Sequence, residues 1–307
     1  TKRGSQTYIL SEGLWSGNIE GSTITLELLV NGAPQLKWAR LGSALEFNLK
    51  IVNQGDEAVS DLTAALSFSS ALLDWNLASA PDGSVKDRAI TFPKEGALTI
   101  PAGKTQEFTA VVPVLASALA SLPPLIKVQA AVKIGNLILS SSPIEILVVS
   151  NTRLEAGARY FGAEGKPLGA GPLPPKVGEE TQWEIYWNLN NSFHDLSNIA
   201  VIATLPLGVQ WTNNYAATVG TLRFADATRE VRWEIPRLTI TAAAARAAFK
   251  VAVTPTEAQR GQLLPLLGVS RAEATDAITQ VDFTVDAPSV STALETDPLA
   301  KGKGVVQ

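Results

Sequence analysis

Apolar and polar residues alternate with a period of two along most of this chain. Ile24, Leu26, Leu28 and Val30 interleave with Thr25, Glu27 and Leu29. Leu45, Phe47, Leu49 and Ile51 interleave with Glu46, Asn48 and Lys50, and Trp183, Ile185 and Trp187 with Glu184, Tyr186 and Asn188. Successive side chains of a strand point to opposite faces, so each run offers one face to a core and one to water. Between the runs sit Asn53-Gln54-Gly55, Pro81-Asp82-Gly83 and Pro101-Ala102-Gly103, all turn chemistry. Many short strands, with no helical pattern of about 10–15 residues between them, predict an all-β sandwich rather than βαβ units. One stretch disagrees locally: Thr241–Phe249, TAAAARAAF, reads as helix on propensity alone.

The pattern recurs within the chain. Leu41-Gly42 matches Val177-Gly178, an offset of 178 − 42 = 136, and at that offset Phe47, Leu49 and Ile51 fall on Trp183, Ile185 and Trp187, and Trp75 on Trp211. Ile90 and Phe92 match Val231 and Trp233, Phe108 matches Phe249, and Leu122-Pro123 matches Leu264-Pro265. The drift in offset is what variable loops between fixed strands produce. The alignment predicts two tandem immunoglobulin-like β-sandwich domains, 22–150 and 151–292, with Trp75 and Trp211 in equivalent core positions. It sets the alanine run against IPAGKTQEFTAVV, so residues 242–245 are expected to be a turn. PIEILVVS (143–150) runs directly into NTRLEAGARYF (151–161) without a Gly/Ser-rich or Pro-rich linker, which predicts a fairly fixed junction. Residues 1–21 hold Tyr8, Ile9, Leu10, Trp15 and Ile19 and are expected to form an apolar strand or hairpin. Residues 293–307, ALETDPLAKGKGVVQ, read as an extended, weakly held end.

Pro206 and Gly208 in TLPLGVQW (204–211) read as a corner that ends one strand and starts another. The wider stretch VGEETQWEIYWNLNNSFHDLSNIAVIATLPLGVQW (177–211) resembles the DUF11/CARDB-like repeat, an immunoglobulin-like module of bacterial and archaeal surface proteins. The features that carry the likeness are the Gly178-Glu179 opening, the aromatic alternating strand, the Asn-rich turn, and Asp195–Val201 ahead of the Leu-Pro and Gly-Val corner. FADATREVRW (224–233) and GAGPLPPKVG (169–178) fit the same pattern. The first copy departs from it, with LSFSSALLDW (66–75) in place of the corner. The resemblance implies an extracellular module of surface, adhesive or filamentous proteins, with no shared catalytic residues.

Composition narrows the classes. The net charge of −4 with no basic cluster argues against nucleic acid and against a polybasic membrane patch. No cysteine means no disulfide and no thiolate metal site, and one histidine leaves no His/Cys metal site. No run reaches the ~18 apolar residues of a membrane helix. The chain has no methionine and starts at Thr1, so it reads as a processed product, with any signal or membrane segment lying ahead of it.

Candidate chemistry is sparse. His194, among Asn191, Ser192, Asp195 and Ser197, is expected as an exposed turn histidine; a Ser-His-Asp triad lacks its Gly-x-Ser-x-Gly elbow. Asp56, Glu57, Asp82, Asp87, Asp195 and Asp226 lie in turns but without calcium-loop spacing, and Glu179-Glu180 reads as solvated. Lys50 and Lys250 lie on the outward phase, which argues against an isopeptide bond. Trp183, Trp187, Trp211 and Trp233 lie on the apolar phase and are expected in cores. Tyr186, Trp38 and Trp15 are the aromatics placed to meet a ligand. No catalytic, cofactor-binding or metal residue is assigned. The expectation is a non-enzymatic extracellular or cell-surface protein, a coat, stalk or filament subunit that self-associates or binds another surface protein, in part through its N-terminal segment. A glycan-binding or adhesion module is the alternative, and a flat exposed aromatic strip around Tyr186 and Trp38 would favour it.

Overall fold

The computed structural model describes residues 23–242 and 244–307. The N-terminal segment, with Trp15, lies outside the described residues. The chain divides into two compact units between Val148 and Val149. Among the described residues there is no α-helix.

In the first unit the strands are β1 (Ile24–Val30), β2 (Trp38–Arg40), β3 (Ala44–Asn53), β4 (Val59–Ser69), β5 (Ser84–Lys86), β6 (Ala89–Phe92), β7 (Leu98–Ile100), β8 (Thr105–Pro113), β9 (Leu125–Ile134), β10 (Leu137–Ser140) and β11 (Ile144–Val149). They form a sheet β1-β3-β8 and a second sheet β2-β11-β9-β4-β6-β5, with β10 on β9 and β7 on β4. In the second unit they are β12 (Asn151–Arg159), β13 (Thr181–Ser192), β14 (Leu196–Thr204), β15 (Gln210–Ala217), β16 (Thr221–Ala225), β17 (Glu230–Leu238), β18 (Ala244–Val253), β19 (Pro265–Leu267), β20 (Ser270–Asp276), β21 (Asp282–Ala287) and β22 (Val290–Ser291). Here the sheets are β12-β13-β18-β15 and β16-β17-β14-β20-β21, with a small pair β19-β22. Each unit is an immunoglobulin-like sandwich, and the strand orders run in parallel: β1-β3-β8 corresponds to β12-β13-β18, and β11-β9-β4-β6-β5 to β21-β20-β14-β17-β16.

The alternation read from the sequence sets the cores. Leu45, Phe47, Leu49 and Ile51 of β3 are buried, as are Trp183, Ile185, Trp187 and Leu189 of β13. Their aligned partners across each sandwich, Ile90 and Phe92 of β6 and Val231 and Trp233 of β17, are buried too. Phe108 stacks on Phe92 at 4.6 Å in the first core, and Trp187 lies parallel to Trp233 at 6.4 Å in the second. An indole N–H cannot go unpaired in a core without cost. Trp187 Nε1 donates to Ser270 Oγ (2.9 Å) and Trp233 Nε1 to the Val219 carbonyl (2.8 Å).

Three expectations are corrected. Trp75 and Trp211 are half-buried and not equivalent: Trp75 sits in a turn after β4, whereas Trp211 lies on edge strand β15, stacked on Phe224 at 5.4 Å. An edge strand has no further strand to close over its side chains, so correct phase does not bring full burial. The alanine run is strand, as the repeat requires, but the turn falls earlier than 242–245: a 3-10 turn covers Ile240–Ala242 and β18 begins at Ala244. Residues 293–307 are no loose end. Leu294, Asp297, Ala300 and Val306 are buried, and the Asp297 carboxylate accepts the backbone N–H groups of Tyr160 and Phe161, both at 2.8 Å. That carboxylate stitches the chain end to the exit of β12. Burial alone would raise its pKa, but the N–H groups of Phe161, Tyr160, Ala300 and Leu299 outweigh this and hold it below the usual range.

The corner at 204–211 is architectural, as its residues suggest. Gly208 takes φ +86, a left-handed conformation that glycine adopts at little cost. Arg229 fastens it from outside, donating through Nε to the Leu205 carbonyl (3.0 Å) and through Nη2 to the carbonyls of Pro206 and Val209. Leu207 at its tip is 88% exposed.

Candidate functional site

The sheet β12-β13-β18-β15 turns its aromatic phase inward and its polar phase outward, and the outward face is concave. A groove of about 540 Å³ is lined by Arg159, Glu184, Tyr186, Asn188, Ala216, Ala217, Thr218, Arg246, Ala247 and Ala248. Register explains its shape. Tyr186 pairs with Gly157 on one side and Ala248 on the other, and Ala248 pairs in turn with Ala216. One cross-strand row thus reads Gly157–Tyr186–Ala248–Ala216, with a single large side chain among three small ones. A Cβ on Gly157 would lie 2.5 Å from Tyr186 Oη, so the phenol leans over β12 into space that only glycine leaves free. The alanines beyond it leave a hollow.

The flanking rows are polar. Asn188 pairs with Glu155 and Arg246, and Glu184 with Arg159 and Lys250. The Arg159 guanidinium lies 4.7 Å from the Tyr186 ring centroid, a cation–π distance that orders both groups. At the far end Thr218 Oγ1 accepts the Arg246 backbone N–H (2.9 Å) and pins the β15 side. The rim therefore offers two guanidinium donors, one carboxylate acceptor, an amide and a phenol around a small-residue floor. That combination suits binding of a polar ligand and contains no nucleophile with an activating base.

Among the described residues, the constellation that resembles catalytic machinery is sealed. His194 is not an exposed turn residue, contrary to expectation: it is 2% exposed, and its Nδ1 lies 3.0 Å from both carboxylate oxygens of Asp276. Asp276 also accepts the backbone N–H groups of Ser150 (2.8 Å), Ile278 (3.1 Å) and Thr279 (3.0 Å). Burial alone would raise the Asp276 carboxyl; the bonds from His194, Thr279 and Ser150 outweigh it and hold the group well below the usual carboxylate range. Ser150 completes a Ser-His-Asp set in composition only. Its hydroxyl donates to the His194 carbonyl (3.1 Å) and accepts the His194 backbone N–H (2.9 Å), so it bonds the main chain rather than the imidazole edge. Asn191 Nδ2 donates to the same carbonyl (2.6 Å). A triad needs the hydroxyl on the ring nitrogen remote from the carboxylate. The cluster instead anchors Ser150, the one residue between β11 and β12.

The remaining candidates are dispersed. Asp195 accepts from Arg237 and from the Ile240 N–H, and both hold its carboxyl low. Glu180 accepts from Gln182, and Glu179 lies 4.0 Å from Lys176. Among the described residues no three His, Asp or Glu side chains, Asp56, Glu57, Asp82, Asp87 and Asp226 included, converge as metal ligands. Lys50 lies 3.9 Å from Glu27 on a half-exposed face, and Lys250 is half-buried. Trp38 is half-buried with the Arg40 guanidinium 5.6 Å from its ring. Among the described residues, the flat aromatic strip that would mark a stacking platform is absent around Tyr186, so that expected support for glycan binding is not found: the groove holds one phenol among charges, and any ligand there would be held by hydrogen bonds and charge rather than by ring stacking. Of its lining residues, phase alone singled out Tyr186. Arg159 and Arg246 lie on other strands and could be found only through the pairing register.

No family model matches the chain, and no curated protein matches it. Among solved structures it is similar to the C-terminal domain of the Streptococcus pyogenes antigen I/II-family protein AspA, with 10% identity and a TM-score of 0.33 over 87% of this chain and 99% of that one. It is similar also to the C-terminal domain of the Streptococcus agalactiae AgI/II polypeptide BspA, with 10% identity and a TM-score of 0.31 over 87% and 99% of the two chains. Likeness of this degree says nothing about a shared role.

Proposed function

We propose that this chain is a non-enzymatic module of an extracellular or cell-surface protein, and that its second sandwich holds a saccharide in the groove beside Tyr186. The observation that carries this reading is the groove itself. An aromatic ring, hydrogen-bond donors of two kinds and one carboxylate acceptor converge on a floor cleared by Ala216 and Ala248, which is the mixture polyhydroxylated ligands need. A rigid sheet presents it, so little ordering is required on binding. The resemblance of residues 177–211 to DUF11/CARDB-like repeats supports the extracellular setting.

A structural role as a coat, stalk or filament subunit is the second reading. It is favoured by the parallel strand orders of the two sandwiches, which fit two copies of one module, and by the single residue between β11 and β12. The test is a panel of neutral and acidic oligosaccharides titrated into the full chain, with Ala248→Leu as the blocked control. Saturable binding that the control abolishes supports a glycan-binding module. A panel with no binder overturns it and leaves the structural reading.

A further inference from the structure

The arginines of the second unit are treated unequally. Nine lie between Val149 and Gln307. Arg153, Arg223, Arg232, Arg237, Arg260 and Arg271 each pair with a carboxylate. Arg229 spends its guanidinium on backbone carbonyls of the corner. Arg159 and Arg246 alone have no carboxylate or carbonyl partner among the described residues, and both line the same groove. Arg246 is exposed. Arg159 rests on the Tyr186 ring, and its Nε is buried without a hydrogen-bond partner. In a unit that otherwise neutralises its guanidinium groups, two left open around one hollow mark a place where an anion is to be supplied from outside.

We infer that the groove takes a saccharide bearing a carboxylate, with Arg159 and Arg246 as the guanidinium donors to that carboxylate; this rests on the glycan-binding reading above. Guanidinium matches a carboxylate with two parallel N–H donors, so the pair supplies both charge and orientation. Glu184 selects the rest of the ligand. As an acceptor-only group it repels a second carboxylate but accepts sugar hydroxyls, as the Asn188 amide also does. A hexuronic acid carries a carboxylate and several hydroxyls on one ring. An acidic peptide brings carboxylates without those hydroxyls and meets Glu184 as a like charge. The Tyr186 ring, already ordered by Arg159, offers the sugar its apolar edge. Ala216 and Ala248 keep room for the ring.

The experiment titrates an oligosaccharide of hexuronic acid, and the same oligosaccharide with its carboxyl groups reduced to alcohols, into the full chain and into the Arg246→Ala and Arg159→Gln variants. The acid form should bind, and the reduced form should bind roughly tenfold or more weakly, the loss expected for one charge-assisted bidentate contact. Arg246→Ala should weaken the acid form by about the same factor, weaken the reduced form far less because only a neutral hydrogen bond is lost there, and flatten the decrease in affinity with added salt. Arg246 is exposed, its guanidinium has no partner among the described residues and its bond to Thr218 is made by the backbone N–H, which alanine keeps; the Arg246→Ala melting temperature therefore serves as control. Equal binding of the two forms overturns the inference while leaving the glycan reading standing. Tighter binding of a glutamate-rich peptide than of the uronic acid likewise overturns it. If neither form binds, and no neutral saccharide binds either, the glycan reading falls and this inference with it.

Discussion

The second sandwich holds two groups of polar side chains that differ in one respect. Around Asp276, histidine, serine, aspartate and asparagine are buried together, and the carboxylate is bonded by His194 and by three main-chain N–H groups. Around Tyr186, arginine, glutamate and asparagine stand on the outer face of a sheet with their hydrogen-bonding capacity largely open. Residue types alone would rank them the other way, because serine, histidine and aspartate suggest catalysis. What separates them is how much of each group's bonding is already spent on the fold. The buried cluster has spent most of its bonding on the fold, and the one ring nitrogen left without a partner, His194 Nε2, is sealed from solvent and so from any substrate. A ligand site keeps its donors and acceptors unspent.

The largest expected effect comes from breaking the buried group. Asp276→Asn removes the carboxylate that accepts from His194 and from three main-chain N–H groups, and each hydrogen bond to a charged group is worth about 1.5–3 kcal/mol. Urea unfolding should show the second unit's transition moving to much lower denaturant; a shift of a few tenths of a kcal/mol would mean the cluster is not a fold element. Asp297→Ala should cost less, about 1–3 kcal/mol, for the N–H groups of Tyr160 and Phe161 left without their acceptor. Limited proteolysis should then release the C-terminal residues.

Acid should reach both sites in the same direction. The folded-state pKa of Asp276 and of Asp297 lies below the ordinary aspartate value. Their contribution is therefore fully present above the unfolded-state pKa, and is lost as pH falls from about 4 toward the folded-state values. Thermal melts should be flat near neutrality and fall below about pH 4, and Asp276→Asn should flatten that fall. Arg246→Ala, on the open side, should change stability by no more than about 0.5 kcal/mol, because the backbone bonds to Thr218 remain and only an exposed side chain is removed. A clear drop in its melting temperature would show that the groove's arginine is part of the fold after all.

The sequence carried the scaffold better than the site, for a physical reason. Period-two alternation is a local signal, so β3, β13 and the core indoles Trp183, Trp187 and Trp233 were legible directly. The repeat register also overruled the helical propensity of the alanine run correctly. His194 was misread because its sequence neighbours are polar, while its burial is decided by Asp276, 82 residues away on β20. The C-terminal residues misled in the same way. Gly, Pro and Lys suggested a loose end, but one carboxylate, Asp297, finds the end of β12 across 137 residues. The groove needs Arg159, Tyr186, Arg246 and Ala216 from four strands at once, and no stretch of sequence contains it. Trp211 shows the remaining case, in which phase was read correctly but position within the sheet, at an edge, sets the burial.

The central claim is that the outer groove binds ligand while the buried polar cluster only holds the fold. Calorimetric titration of the hexuronic acid oligosaccharide into the Ala248→Leu variant tests it most directly, because leucine fills the groove floor without changing any charge and suits a strand better than alanine. The account predicts saturable binding by the unmodified chain, and its loss in a variant that melts at the same temperature. Undiminished binding by that variant would contradict it, since the ligand would then be held elsewhere.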